Sequence, residues 1–174
     1  AMRVDGANRQ TPPTTVRYQS MRIVETPRGK EASCAMLSEI AWGPTAVAFA
    51  VNIPVGMLWY GMFAKPWMRE VGVSMEQIQR EPWPMPAYPI AMGTAALQSL
   101  ALALLLAWAG NPGPLDTLAL GATLGVAAAC ATGKHHAFGR KTWTLWAIDG
   151  GNDLAGFLAM AGVFTLWQAL AYGG

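Results

Sequence analysis

The chain has few charged residues, few histidines and few cysteines. Of its 174 residues, 13% are Asp, Glu, Lys or Arg, about half the share of an ordinary soluble domain, whereas 53% are hydrophobic. This deficit argues against a soluble enzyme. The two cysteines cannot build a disulfide framework, and a net charge of +2 without a long Lys/Arg block argues against a nucleic-acid-binding protein. The composition predicts an integral membrane protein.

Residues 1–41 are the most polar part of the chain. They hold six basic and four acidic residues around a Thr-Pro-Pro-Thr-Thr run. They lack the apolar core and the small-residue cleavage site of a signal peptide, so we predict a polar N-terminal tail that stays on the mature protein. Such a segment is either flexible or ordered by a partner.

Four apolar stretches follow the tail, and each is long enough to cross a bilayer. We predict spans at residues 42–63, 87–109, 115–132 and 143–172, with a Pro-Gly-containing turn at residues 111–114. The alternative is a buried helical bundle in a soluble protein, but its helices would show a polar face at helical spacing, and these stretches do not. The predicted fold is therefore all-α, a four-helix membrane bundle formed by residues 42–174.

Tryptophans and basic residues predict how this bundle sits in the bilayer. Indole rings favour the boundary between headgroups and hydrocarbon, and an alternating path places five at one membrane face: Trp59, Trp67, Trp83, Trp143 and Trp146. The same path places three at the opposite face: Trp42, Trp108 and Trp167. Basic residues occur in loops 64–86 and 133–142 but not in the second loop, which predicts that both loops are cytoplasmic and both termini outside. The basic residues that precede the first span oppose this orientation.

Small residues recur at every fourth position in the last three spans. In a lipid environment such stripes let helices approach closely, so they mark helix contacts. The residues that we predict to pack are Ala95, Ser99, Gly121, Gly125, Ala129 and Ala155.

The first loop is predicted to be more than a connector. Apolar and charged residues alternate from Trp67 to Arg80, which suits a short helix lying at the membrane surface. Ser74, followed three residues later by Gln77, can cap the second half of that helix. The alternative is a solvated linker.

Asp149, Asn152 and Asp153 are the most conspicuous polar group inside a predicted span, and they share one helix face. Ionisable residues at membrane depth are costly and face a bundle interior, a wet cavity or a partner. Together with Asn52 of the first span they could form a proton or cation path. The structural alternative is that the Gly-Gly pair after Asp149 unwinds the helix start, which leaves Asp149 at the wet interface and Asp153 as a helix cap.

Two adjacent histidines, His135 and His136, lie in the predicted third loop. A metal or pigment site needs further ligands, and no Cys or carboxylate cluster accompanies them, so we predict a surface histidine pair and no metal site. The chain also lacks a nucleophile elbow, a phosphate loop and a zinc motif, so we expect no enzymatic activity. No cofactor is predicted, although the sequence leaves room for a bound lipid or pigment.

A family resemblance rests on two segments. Gly-Met-Leu-Trp-Tyr-Gly at residues 56–61, followed by Phe63, Lys65 and Trp67, resembles the opening signature of a family of small bacterial four-span membrane proteins, the domain-of-unknown-function family numbered 1761. Leu-Trp-Ala-Ile-Asp-Gly-Gly at residues 145–151, after a basic loop, resembles its closing segment. The resemblance covers about residues 42–170 and implies the four-span fold but no activity, and the long tail departs from the family's compact members.

Two functions stay in competition. The first is a non-catalytic accessory or scaffold subunit of a bacterial inner membrane that packs against larger membrane proteins, for example in an energy-converting or pigment-bearing complex. The small-residue stripes, the interfacial aromatics and the polar tail favour it. The second is a small oligomeric ion or proton transporter that uses the intramembrane carboxylates. Both predict contact with the lipid bilayer, and neither predicts a nucleic-acid partner.

Overall fold

Four long helices form the bundle in the computed structural model, which describes residues 38–81 and 86–172. Within these ranges the elements are α1 (Trp42–Met62), α2 (Ala64–Val71), α3 (Met75–Arg80), α4 (Ala87–Trp108), α5 (Pro114–Phe138) and α6 (Trp143–Tyr172). Helices α1, α4, α5 and α6 are long and apolar enough to cross a membrane. The predicted all-α, four-span fold is confirmed, and the predicted tail falls almost entirely outside the described residues.

The turn between α4 and α5 forms where the Pro-Gly-containing break is predicted. Gly110 and Asn111 adopt left-handed φ angles of 76° and 53°, which reverse the chain within a few residues. Pro114 then occupies the first turn of α5, where its missing N–H is not needed for a helical hydrogen bond.

Helix α5 continues to Phe138, whereas the predicted third span ends at residue 132. The predicted loop 133–142 is therefore shortened to residues 139–142. The charge of Lys134 ends the apolar run but not the helix. Just before it, Gly133 packs beneath Trp146, where a Cβ would lie 2.6 Å from the indole Nε1. The prediction of a histidine pair in a surface loop was wrong, because both histidines belong to the last turn of α5.

The first loop folds into the two short helices α2 and α3. Helix α2 ends at Val71 and is capped by Gly72, whose φ of 77° suits glycine. The N–H groups of Gly72 and Val73 both donate to the Met68 carbonyl. Helix α3 begins with a capping box in which the Gln77 N–H donates to Ser74 Oγ at 3.1 Å and the Ser74 N–H donates to Gln77 Oε1 at 2.7 Å. The predicted cap at Ser74 is confirmed.

Helices α5 and α6 pack as a close antiparallel pair along the small-residue stripe of α5. A Cβ at Gly121 would lie 2.5 Å from the Cβ of Ala161, and one at Gly125 would lie 2.8 Å from the backbone of α6. Farther along the pair, a Cβ at Gly150 would lie 3.1 Å from that of Ala129. Contacts this short require glycine and give extensive backbone van der Waals contact.

Helix α4 joins the bundle through its C-terminal half. Its buried residues begin at Ala95, whereas residues 86–94 are exposed. Ser99 is buried and its Oγ donates to the carbonyl oxygen of Thr45 in α1 at 2.7 Å. Ala155, the remaining residue with a predicted packing role, is partly buried on α6.

Candidate functional site: a polar cluster at one end of the bundle

Asp149 is the centre of a polar cluster that joins four helices. Its Oδ1 accepts hydrogen bonds from the hydroxyl of Tyr60 in α1 at 3.0 Å and from the indole Nε1 of Trp67 in α2 at 3.2 Å. Its Oδ2 lies 3.0 Å from Nε2 of His136 in α5. The carboxylate is 22% exposed and the imidazole 16% exposed. Both carboxylate oxygens of Asp149 are therefore engaged by side chains from other helices.

His136 lies between two oxygen acceptors. Its Nδ1 is 2.9 Å from the backbone carbonyl oxygen of Thr132, and its Nε2 faces the Asp149 carboxyl. A carbonyl oxygen only accepts, so Nδ1 carries a proton when this hydrogen bond forms. The roles of the two ring nitrogens depend on the tautomer: a neutral imidazole carries a proton on only one of them, whereas an imidazolium donates to both oxygens.

The cluster continues one helical turn deeper to Asp153. The hydroxyl of Thr132 donates to Asp153 Oδ2 at 2.8 Å, so the last turns of α5 bind both carboxylates of α6. The prediction that Asp153 caps a helix was wrong, because α6 is continuous from Trp143 through the glycine pair.

Two tryptophans fasten the same end of the bundle by donating to backbone carbonyls. Trp59 Nε1 donates to the Ile148 oxygen at 2.8 Å, and Trp146 Nε1 donates to the Ala129 oxygen at 2.8 Å. The Trp59 ring lies over Gly151, where a Cβ would be 2.5 Å from a ring carbon. The glycine pair predicted to unwind α6 instead makes room for neighbouring helices.

The first and third loops lie at the same end of the bundle. The hydroxyl of Thr142, in the third loop, donates to Glu70 Oε2 in α2 at 2.6 Å. This arrangement agrees with the predicted alternating path, and the other end is identified by the contact of Gly43 with the Trp167 ring. Four tryptophans are exposed by 44–78% in the described chain: Trp42, Trp108, Trp143 and Trp167. Trp83 lies outside the described residues.

The two asparagines of the predicted polar path lie deeper, between α1 and α6. Asn52 contacts the backbone at Gly156, where a Cβ would lie 2.5 Å from the amide oxygen. Asn152 points its buried Oδ1 toward Gly56 of α1, and this oxygen has no hydrogen-bond partner among the described residues. Asp153 bonds to Thr132 of α5, so Asn52 and Asp153 engage different helices.

Sequence reasoning selected the carboxylates but missed their partners Tyr60, Thr132 and His136. The Trp-Tyr-Gly segment that resembles the family signature was the sequence feature that could have pointed to a partner of these carboxylates. Its tryptophan and tyrosine both donate to the part of α6 that contains Asp-Gly-Gly. No group of three or more metal-ligating His, Cys, Asp or Glu side chains occurs within residues 38–81 and 86–172.

The fold and the cluster define a class of small integral membrane protein in which four apolar helices are fastened at one end by polar side chains. The family model described as "Protein of unknown function (DUF1761)" matches residues 44–165, and the chain belongs to this family. The matched segment contains every member of the Asp149 cluster. No curated protein and no solved structure matches the chain.

Proposed function

We propose that this chain is a non-catalytic accessory or scaffold protein that packs against a larger membrane complex. The proposal rests on the role of Asp149, the most prominent intramembrane carboxylate, which holds neighbouring helices together through hydrogen bonds. Hydrogen bonds from Tyr60, Trp67 and His136 occupy both of its oxygens. A carboxylate held in this way stabilises the bundle and has little capacity left for a passing cation.

The close helix packing supports the same proposal. The glycines of α5 bring it so close to α6 that a Cβ at Gly121 or Gly125 would clash, which leaves little space between these two helices. The bilayer-sized apolar exterior is then the surface on which other subunits, lipids or pigments bind. An energy-converting or pigment-bearing complex of a bacterial inner membrane is the partner that we propose.

We also propose that the polar cluster lies on the cytoplasmic side, with the ends of α1 and α6 away from it outside. All six Lys and Arg residues of the described chain lie at the cluster end: Lys65, Arg69, Arg80, Lys134, Arg140 and Lys141. The positive-inside rule favours this orientation.

A transporter is the second candidate, and one observation favours it. The buried, unpartnered Oδ1 of Asn152 lies in the same span as Asp153 and faces α1. An unsatisfied oxygen in hydrocarbon is costly unless water or an ion visits it. A path through Asn152 and Asp153 would be short and would need an oligomer to complete it.

Asp153→Asn separates the two functions. The asparagine keeps an oxygen for the Thr132 hydroxyl, so an accessory protein should retain its co-purifying subunits at wild-type stoichiometry after gentle detergent extraction from the native membrane. Reconstituted wild-type protein should show no proton or cation flux above that of empty liposomes. Asp116→Asn, an exposed change at the other end of the bundle, is the matched control.

Two results would contradict the accessory function. One is recovery of the wild type as a homo-oligomer without other subunits. The other is flux that Asp153→Asn abolishes and Asp116→Asn leaves intact, which would establish the transporter instead.

A further inference from the structure

An apolar pocket lies at the cluster end of the bundle and shares Tyr60 and Trp67 with the hydrogen-bonded network. It is formed by the end of α1 and by one side of α2 and α3, and it has a volume of about 400 Å³. This volume falls within the range of about 300–1,000 Å³ that is typical of small-molecule pockets. Its walls present only apolar surface, and its lining residues are Tyr60, Ala64, Trp67, Met68, Met75 and Ile78.

The lining of the pocket is typical of the boundary between hydrocarbon and headgroups. Tyr60 lies in the last turn of the membrane-spanning helix α1 and Trp67 in the short helix α2 that follows it, and aromatic side chains of this kind favour the interface. Met75 is 53% exposed at the edge of the pocket, so the pocket is accessible from outside the bundle. An apolar pocket at this depth is filled more favourably by a hydrocarbon chain than by water.

Positive charge flanks the apolar wall of the pocket. Lys65 and Arg69 lie four residues apart on α2, so they share a helix face, and each directly follows a pocket residue, Ala64 or Met68. The Arg69 side chain is 75% exposed, and within residues 38–81 and 86–172 its ion pair is with Glu70, at 3.4 Å. Across the cluster end, the six basic residues of the described chain face five carboxylates, Glu70, Glu76, Glu81, Asp149 and Asp153, which leaves an excess of one positive charge.

We propose that this pocket binds one anionic glycerophospholipid of the surrounding bilayer. An acyl chain lies against Trp67 and Met68, and the headgroup phosphate lies near Lys65 and Arg69. The two parts of the site match the two parts of the ligand, because a surface helix binds lipid through buried apolar area together with attraction between basic side chains and anionic headgroups. This inference concerns the apolar faces of Tyr60 and Trp67 rather than the polar atoms that bind Asp149, and it does not depend on the accessory function.

Native mass spectrometry of the full chain, released from nanodiscs, tests the proposal. The nanodiscs contain equal amounts of phosphatidylglycerol and phosphatidylcholine with identical acyl chains. The wild type should retain one phosphatidylglycerol in clear preference to phosphatidylcholine. The double variant Lys65→Gln/Arg69→Gln should lower that preference by about ten-fold or more, because two headgroup contacts are lost.

A second double variant is the matched control. Lys134→Gln/Lys141→Gln removes the same charge from the same end of the bundle but not from α2, so it should keep the preference of the wild type. Met75→Gln places a polar group at the exposed edge of the pocket and should weaken retention of either lipid without disturbing the bundle.

Three results would overturn the proposal. The first is retention of both lipids without preference by the wild type. The second is an equal loss of preference in both double variants. This result would mean that the overall positive charge at this end of the bundle, and not a specific site, attracts the anionic lipid. The third is a co-purifying peptide or subunit that crosslinks to Met75 and excludes lipid from the pocket.

Discussion

Replacement of Asp149 by alanine should destabilise the bundle far more than replacement by asparagine. The side-chain oxygen of an asparagine still accepts hydrogen bonds from Tyr60 and Trp67. The asparagine amide N–H can donate to Nε2 of a neutral His136, and the Nδ1–H of this histidine stays bonded to the Thr132 carbonyl. The substitution therefore keeps every hydrogen bond of the cluster and should change the free energy of unfolding by less than about 1 kcal/mol. Alanine removes all three side-chain hydrogen bonds of Asp149. At about 1 kcal/mol for each hydrogen bond in a partly solvated site, alanine should destabilise the bundle by about 3 kcal/mol.

Reversible unfolding in mixed detergent micelles, followed by tryptophan fluorescence, measures both effects. Asp116→Asn and Asp116→Ala are the controls, because Asp116 is exposed in the first turn of α5 and its loss affects only the interaction with the helix dipole. If Asp149→Asn destabilised the protein as much as Asp149→Ala, then the charge rather than the hydrogen bonds would hold the helices together. A loss below about 1 kcal/mol for Asp149→Ala would refute the fastening role.

Three further substitutions, one of them with a matched control, test the packing and the surface helices. Gly121→Ala should destabilise the bundle by about 2 kcal/mol or more in the same unfolding assay, whereas Gly162→Ala, with open space at its Cβ position, should be neutral or slightly stabilising. Equal effects would contradict the close approach of α5 and α6. Ser99→Ala should cost about 1 kcal/mol through loss of the bond to the Thr45 carbonyl, and a neutral result would mean that α4 is held by packing alone. Ser74→Ala should increase hydrogen exchange in α3 only, and increased exchange throughout the long helices would contradict a local role for the cap.

The sequence predicted the long helices well because their apolar length is determined by the bilayer rather than by tertiary contacts. It failed at the end of α5, since Lys134 changes hydropathy without changing helix propensity. The apolar run and the helix therefore end at different residues. The helical turn beyond the apolar run places His136 next to Asp149. Sequence analysis therefore identified Asp149 but placed its partner His136 in a loop.

The partners of the carboxylates could not be deduced from spacing because they come from three other helices. Asp149, Asn152 and Asp153 share a face by helical periodicity, but periodicity does not specify which neighbouring helix that face contacts. In the structure Asp153 bonds to Thr132, whereas Asn152 faces α1. Tyr60 belongs to the family-like segment, yet that segment alone does not indicate which residue its hydroxyl binds.

The connectivity of the Asp149 cluster has a consequence for how the protein is made. Tyr60 and Trp67 precede Asp149 by 89 and 82 residues, so these donors are synthesised long before their acceptor. Their hydrogen bonds close only after the last span has entered the membrane, because Asp149 belongs to that span. The cluster therefore forms only once α6 has inserted: a nascent protein interrupted before α6 lacks the Asp149 acceptor that joins Tyr60 of α1 and Trp67 of α2 to the last span.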